Sequence, residues 1–177
     1  MFKWFKYTDR EIEEIIKSIV ILVDTREKQN SHITNWLTSK NIPYKSKALS
    51  NGDYSFYIPA NHDLNIDRDL YFDKEIMIER KNSLEELSGN FSQHRNRFEE
   101  EMATYPGKKY LMIENASYKD LILGNYKTQF SKKSFFGSLH AFNQRYDLQI
   151  MFMPDPRFSG YFLYGTFTYY LKQQLHK

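Results

Sequence analysis

Glu75–Lys81, EIMIERK, joins an apolar run to three consecutive charged residues. Ile76, Met77 and Ile78 suit a strand covered on both faces. Alternate side chains of a strand share a face, so Glu79 and Lys81 project together while Arg80 follows Ile78 to the other side. On spacing alone, a solvated ion pair between Glu79 and Lys81 is the simpler account. The second account brings in Asp53, in Gly52-Asp53-Tyr54, at the end of a neighbouring strand. Two carboxylates and a lysine meeting at one point suit phosphodiester hydrolysis. Their hard oxygens bind Mg²⁺ or Mn²⁺, and the lysine positions water or steadies developing charge.

Upstream, Ile19–Val23 is a continuous β-branched apolar run ending in Asp24, a second buried strand. Before it, Thr8 and Glu11 have capping-box spacing, and Ile12, Ile15, Ile16 and Ile19 follow at helical intervals, predicting an amphipathic helix over 8–18. The prefix Phe2, Lys3, Trp4, Phe5, Lys6 could touch DNA or pack on the domain. His32–Lys40 suits a helix. Pro43 begins an extended segment that Gly52-Asp53 turns back into Tyr54–Ile58 as a hairpin, with a loop over 61–69. Downstream come helices from Ser83 and over His94–Tyr105, closed by Pro106-Gly107, then a strand over Lys109–Glu114. Helices over Tyr118–Leu123 and Lys132–Tyr146, a strand over Leu148–Met153 and a last helix after Pro156 complete the order. It predicts an α/β sandwich: a mixed central β-sheet flanked by helices.

Composition fits one folded domain: 177 residues, 41% hydrophobic and 27% charged, which argues against a disordered tail or a coiled coil. With no cysteine, thiol catalysis, Cys-zinc sites and disulfides are excluded. No apolar run approaches the roughly 18 residues of a membrane span, and charges interrupt the start too early for a signal peptide, so a cytoplasmic protein without membrane partners is expected. Abundant Lys, Asn, Ile, Tyr and Phe point to an AT-rich genome, bacterial or phage. The net charge of +3 conceals an asymmetry. Nine acidic and four basic residues lie between Asp53 and Glu86, whereas Tyr105–Asp147 holds seven basic and three acidic. A metal site within a basic surround is what a nuclease needs.

Val23-Asp24-Thr25-Arg26-Glu27, Gly52-Asp53-Tyr54 and Ile78-Glu79-Arg80-Lys81-Asn82-Ser83-Leu84-Glu85 occur in the order seen in the nuclease domain of the XPF family of structure-specific endonucleases. The family's signature reads GD, a gap, then ERKxxxD, and its fold is restriction-endonuclease-like. The resemblance covers about residues 19–155, within a domain taken as 19–177 after an N-terminal helix extension over 1–18. It implies that Asp53 and Glu79 hold Mg²⁺ or Mn²⁺ with the backbone carbonyl of Arg80, and that Lys81 is catalytic. Asp24 and Glu27 would line the same pocket as direct or water-mediated ligands, and Arg26 would pair with an acid or contact phosphate. Glu85 stands where the signature has aspartate, which puts a direct metal role for it in doubt.

Arg95 and Arg97 at the start of one helix and Lys132 and Lys133 at the start of another are candidate DNA contacts. His140 is a candidate ligand, but a packed ring is the simpler account. The polar loop over 59–73 reads as a DNA or partner contact or, more simply, a hairpin extension. No helicase motif is present, so no nucleotide cofactor is expected. No tandem helix-hairpin-helix module fits in the chain. A homodimer is expected through the aromatic tract Tyr161, Phe162, Tyr164, Phe167, Tyr169 and Tyr170, part of which could be core. The resulting expectation is a metal-dependent endonuclease acting on branched or flapped DNA. The rival readings on the same fold are a non-catalytic DNA-structure-binding protein and an accessory interaction protein.

Overall fold

The computed structural model describes residues 6–176, so most of the aromatic and basic prefix, Phe2 to Phe5, lies outside the described residues. The strands are β1 (Val20–Asp24), β2 (Tyr44–Lys47), β3 (Tyr54–Ile58), β4 (Leu70–Tyr71), β5 (Ile76–Lys81), β6 (Lys108–Glu114) and β7 (Leu148–Met153). They form one mixed sheet in the order β2-β1-β3-β5-β6-β7, with β4 paired to β3. The helices are α1 (Asp9–Lys17), α2 (Ser31–Ser39), α3 (Leu84–Phe91), α4 (Arg95–Thr104), α5 (Tyr118–Leu123), α6 (Lys132–Tyr146) and α7 (Ser159–Leu175).

The predicted sandwich is present. On one face α1, α2 and α7 bring Ile12, Ile15, Ile33, Leu37, Leu163 and Phe167 against Ile21, Val23, Phe56 and Ile78 of the sheet. On the other, α3 to α6 bring Leu87, Phe91, Phe98, Phe135 and Phe142 against Met77, Leu111 and Ile113. Strand alternation therefore divides β5: Met77, Glu79 and Lys81 face the second layer, and Ile76, Ile78 and Arg80 the first. All six β5 residues are buried.

One expectation is corrected. The segment after Pro43 does not form a hairpin with Tyr54–Ile58. Instead β2 runs parallel to β1, and β3 runs antiparallel along β1's other side. The apolar β1 needs a neighbour on both edges, whereas β2, with the sequence YKSK and mostly exposed, suits the sheet border, where lysines deter further pairing. The aromatic tract of α7 turns inward in part: Phe167 is fully buried and Phe162, Tyr164 and Tyr170 are partly covered, leaving Tyr161 and Tyr169 exposed. The 59–73 segment is a hairpin extension, with Tyr57 opposite Tyr71 and their rings stacked at 4.9 Å.

Candidate active site

The site lies where β3, β5 and α4 meet. Gly52, with φ +70°, turns the chain into β3 and presents Asp53. Two backbone bonds and one side-chain bond fix that residue: its N–H donates to Ile78 O at 3.0 Å, its carbonyl accepts the Asp24 N–H at 2.8 Å, and its Oδ2 accepts the Arg80 N–H at 2.8 Å. Among the described residues its Oδ1 accepts no hydrogen bond. Burial first, and then the neighbouring Glu79, push the Asp53 carboxyl well above the usual carboxylate range, against the opposing pull of Lys81 and the Arg80 N–H.

On β5, Lys81 Nζ donates to Glu79 Oε1 at 2.6 Å, with both side chains less than a tenth exposed. Burial works against the lysine's charge. Glu79 and then Asp53 outweigh it and hold the ammonium above the ordinary lysine range, so Lys81 is a cation at neutral pH. The ammonium also lies 5.5 Å from the Phe98 ring centroid, which gives it an apolar floor. Asp53, Glu79 and Lys81 share a cavity of about 260 Å³ with Arg26, His94, Arg97 and Glu101. The solvated ion pair that spacing alone favoured is thus replaced by a buried pair beside a second acid.

Arg80 points away from this cavity. Its Nε donates to Glu114 Oε2 at 2.8 Å, its Nη1 to Glu27 Oε2 at 3.2 Å and its Nη2 to the Gln29 carbonyl at 2.9 Å. Glu114 is fully buried and also meets His32 Nε2 at 2.8 Å and the Ser159 hydroxyl. Arg80's side chain is therefore structural, and only its backbone reaches the site. In sequence Glu114 looks like the polar end of an apolar strand, and no motif marks it, His32 or Ser159 as members of this network.

The remaining candidates separate. Asp24 was expected to line the pocket, but its carboxylate is taken up by the Arg26 N–H and guanidinium and the Leu49 N–H. It is buried and ties the β1 end to the crossing between β2 and β3. Those bonds with Arg26 and Leu49 overcome the burial that would otherwise raise its carboxyl, and hold it low. Glu27 lines the neighbouring cavity with Asp53 and Lys81, tethered to Arg80. Arg26 pairs with an acid, as expected, and borders both cavities.

Arg97 is exposed at the cavity rim. Arg95, expected to act alongside it, instead turns to α6, donating to Ser138 at 3.2 Å and lying 5.3 Å from the Phe142 ring. Lys132 closes the end of α5 by donating to the Leu123 carbonyl at 2.7 Å. Neither it nor the exposed Lys133 lines the cavity. Glu85 turns away, accepting the Lys127 N–H at 2.8 Å, whereas Glu86 lies 3.8 Å from Lys81 Nζ. His140 is exposed, 3.0 Å from the Tyr118 hydroxyl.

Among the described residues no group of three or more His, Asp or Glu side chains stands ready to hold a metal. Asp53 and Glu79 nevertheless fit a hard divalent ion. Mg²⁺ commonly takes one or two carboxylates and keeps several waters, Asp53 Oδ1 is unengaged, and the repulsion raising the Asp53 carboxyl is what a cation would relieve.

A three-layer α/β sandwich with an acid-acid-lysine cluster at the open end of its central strands defines a nuclease-fold domain. The sequence matches the model of the ERCC4 domain over residues 23–166, and the chain belongs to that family. Among solved structures it is similar to XPF from Aeropyrum pernix, with TM-score 0.62 and 16% identity over 87% of this chain. It is equally similar to XPF from Aeropyrum pernix in complex with DNA, with TM-score 0.61 and 17% identity over 88% of this chain. At those identities the likeness is one of fold, and in each case the match spans 66% of the solved chain. No protein of curated function matches the sequence.

Proposed function

We propose that the chain is a divalent-metal-dependent endodeoxyribonuclease that cuts branched or flapped DNA. The observation that carries this is the convergence of Asp53, Glu79 and a charged Lys81 in one cavity. Asp53 and Glu79 would hold Mg²⁺ or Mn²⁺, aided by the Arg80 carbonyl that the family resemblance implies. When bound, such an ion supplies Lewis-acid stabilisation of the phosphoryl oxygens.

The protein's own part is positioning. Arg26 and Arg97, at the rim, neutralise phosphates flanking the scissile bond. Lys81, oriented by Glu79, orients the attacking water and offsets negative charge developing at phosphorus. Water attacks in line, its oxygen bonding to phosphorus as the bond to the 3′ oxygen breaks and that oxygen takes up a proton, leaving 5′-phosphate and 3′-hydroxyl ends. In a panel of labelled duplex, flap, fork and junction DNAs, cleavage should occur with Mg²⁺ or Mn²⁺, stop in EDTA and leave nicks that DNA ligase reseals. Absence of cutting on every substrate with either ion contradicts the reading.

For the expected homodimer, α5 and α6 offer a second exposed apolar face in addition to Tyr161 and Tyr169 of α7. Tyr118 and Phe136, each more than two-fifths exposed, meet through His140, with Ile122 and Leu123 beside Tyr118 on α5. This apolar face of α5 and α6 is the proposed pairing surface.

A further inference from the structure

Glu101 of α4 has no part in the reading above, yet it lines the cavity with Asp53, Glu79 and Lys81. Its Oε1 accepts the Gly52 N–H at 3.1 Å, and its backbone carbonyl lies 3.5 Å from Asn51 Nδ2. The turn held in this way has little room to shift. Gly52 is buried in the left-handed region, and a Cβ there would fall 2.9 Å from the Met77 Cβ. The next residue is Asp53, whose backbone is locked to β1 and β5. Glu101 is thus the side chain that ties the Asn51–Gly52 peptide, one residue before Asp53, to α4, and through Phe98 and Met102 α4 is rooted in the core. A neutral acceptor could also make that hydrogen bond, though a weaker one. A carboxylate placed near Glu79 brings electrostatic repulsion, which becomes attraction toward a cation.

We infer that Glu101 is a positioning residue: through Gly52 it sets the Asp53 carboxylate at the cavity wall, and its charge strengthens the hold of Asp53 and Glu79 on a divalent ion. The inference rests on the metal-dependent reading for its second half and on geometry alone for its first. Two measurements on the full chain separate the halves, each on wild type, Glu101→Ala, Glu101→Gln and the exposed control Glu13→Gln. The first is amide hydrogen exchange at Gly52 without metal, and the second is Mn²⁺ binding by electron paramagnetic resonance.

Glu101→Ala should speed Gly52 exchange about 10-fold, the loss of one hydrogen bond, and weaken Mn²⁺ about 10-fold, as loss of a supporting partner does. Glu101→Gln, whose amide oxygen still accepts, should keep Gly52 protected and weaken Mn²⁺ by a smaller factor, about 3-fold. The control should match wild type in both. Unchanged Gly52 exchange in Glu101→Ala overturns the positioning role, and unchanged Mn²⁺ affinity overturns the charge role. Wild type that takes up no Mn²⁺, with Gly52 responding as expected, overturns the metal-dependent reading and the charge role together while supporting the positioning role.

Discussion

Asp53 carries the electrostatic strain of the site. Burial and Glu79 raise its carboxyl, so the folded chain binds that proton more tightly than the unfolded chain does. The stabilisation this provides is present at low pH and is lost as pH rises through the folded-state value, so above the ordinary carboxylate range the burial of Asp53 beside Glu79 opposes folding. Asp53→Asn keeps an oxygen for the Arg80 N–H and removes the charge. Without divalent ions at pH 7 its Tm should exceed that of wild type by about 2–4 °C, the shift that about 1 kcal/mol produces in a chain of this size. The gap should narrow at pH 5. Circular dichroism melts in EDTA check this, and a lower Tm for the variant at pH 7 contradicts it. Asp53, Glu79 and Lys81 were legible from their motifs. Glu101 was not, because Glu99, Glu100 and Glu101 look alike in sequence and only the burial of Phe98 and Met102 sets which one faces the cavity.

At the scale of elements, β5 serves two purposes at once, its odd-numbered charges facing the cavity and Arg80 bracing the opposite layer. Arg80 is 4% exposed between Glu27 and Glu114, so removing one partner strands a buried charge. Glu114→Ala should destabilise the fold by about 3–5 kcal/mol, measured by urea unfolding. A loss below about 1 kcal/mol would show that the network is no brace. Strands and helices were legible element by element, since periodicity and caps are local: the Thr8–Glu11 capping box opens α1 where the spacing placed it. Which strands are neighbours was not. Nothing local in Tyr44–Lys47 tells it to flank β1 rather than pair with Tyr54–Ile58, because the choice is made by β1's demand for two partners. The Arg80–Glu114 pair was illegible for the same reason, its members being 34 residues apart.

At the scale of the whole molecule, two layers of helices leave one end of the sheet open, and the acidic residues gather there. Among the described residues no helix is long and apolar enough to cross a membrane. The basic stretch over 105–147 supplies charge elsewhere. Lys132 lies on α6 away from the cavity, so a basic segment in sequence is not a basic rim in space. If two copies pair through α5 and α6, sedimentation should give a dimer that Phe136→Glu dissociates without loss of secondary structure; a wild-type monomer at tens of micromolar, a concentration at which a specific interface should hold, contradicts that surface. In the proposed reaction the chain cuts DNA with Asp53 and Lys81. Its most direct test is single-turnover cleavage of labelled branched DNA in Mg²⁺ or Mn²⁺ by wild type, Asp53→Ala and Lys81→Ala. Wild type should cut and each variant should lose at least about 100-fold; no cutting by wild type, or variants that cut as well, would contradict this mechanism.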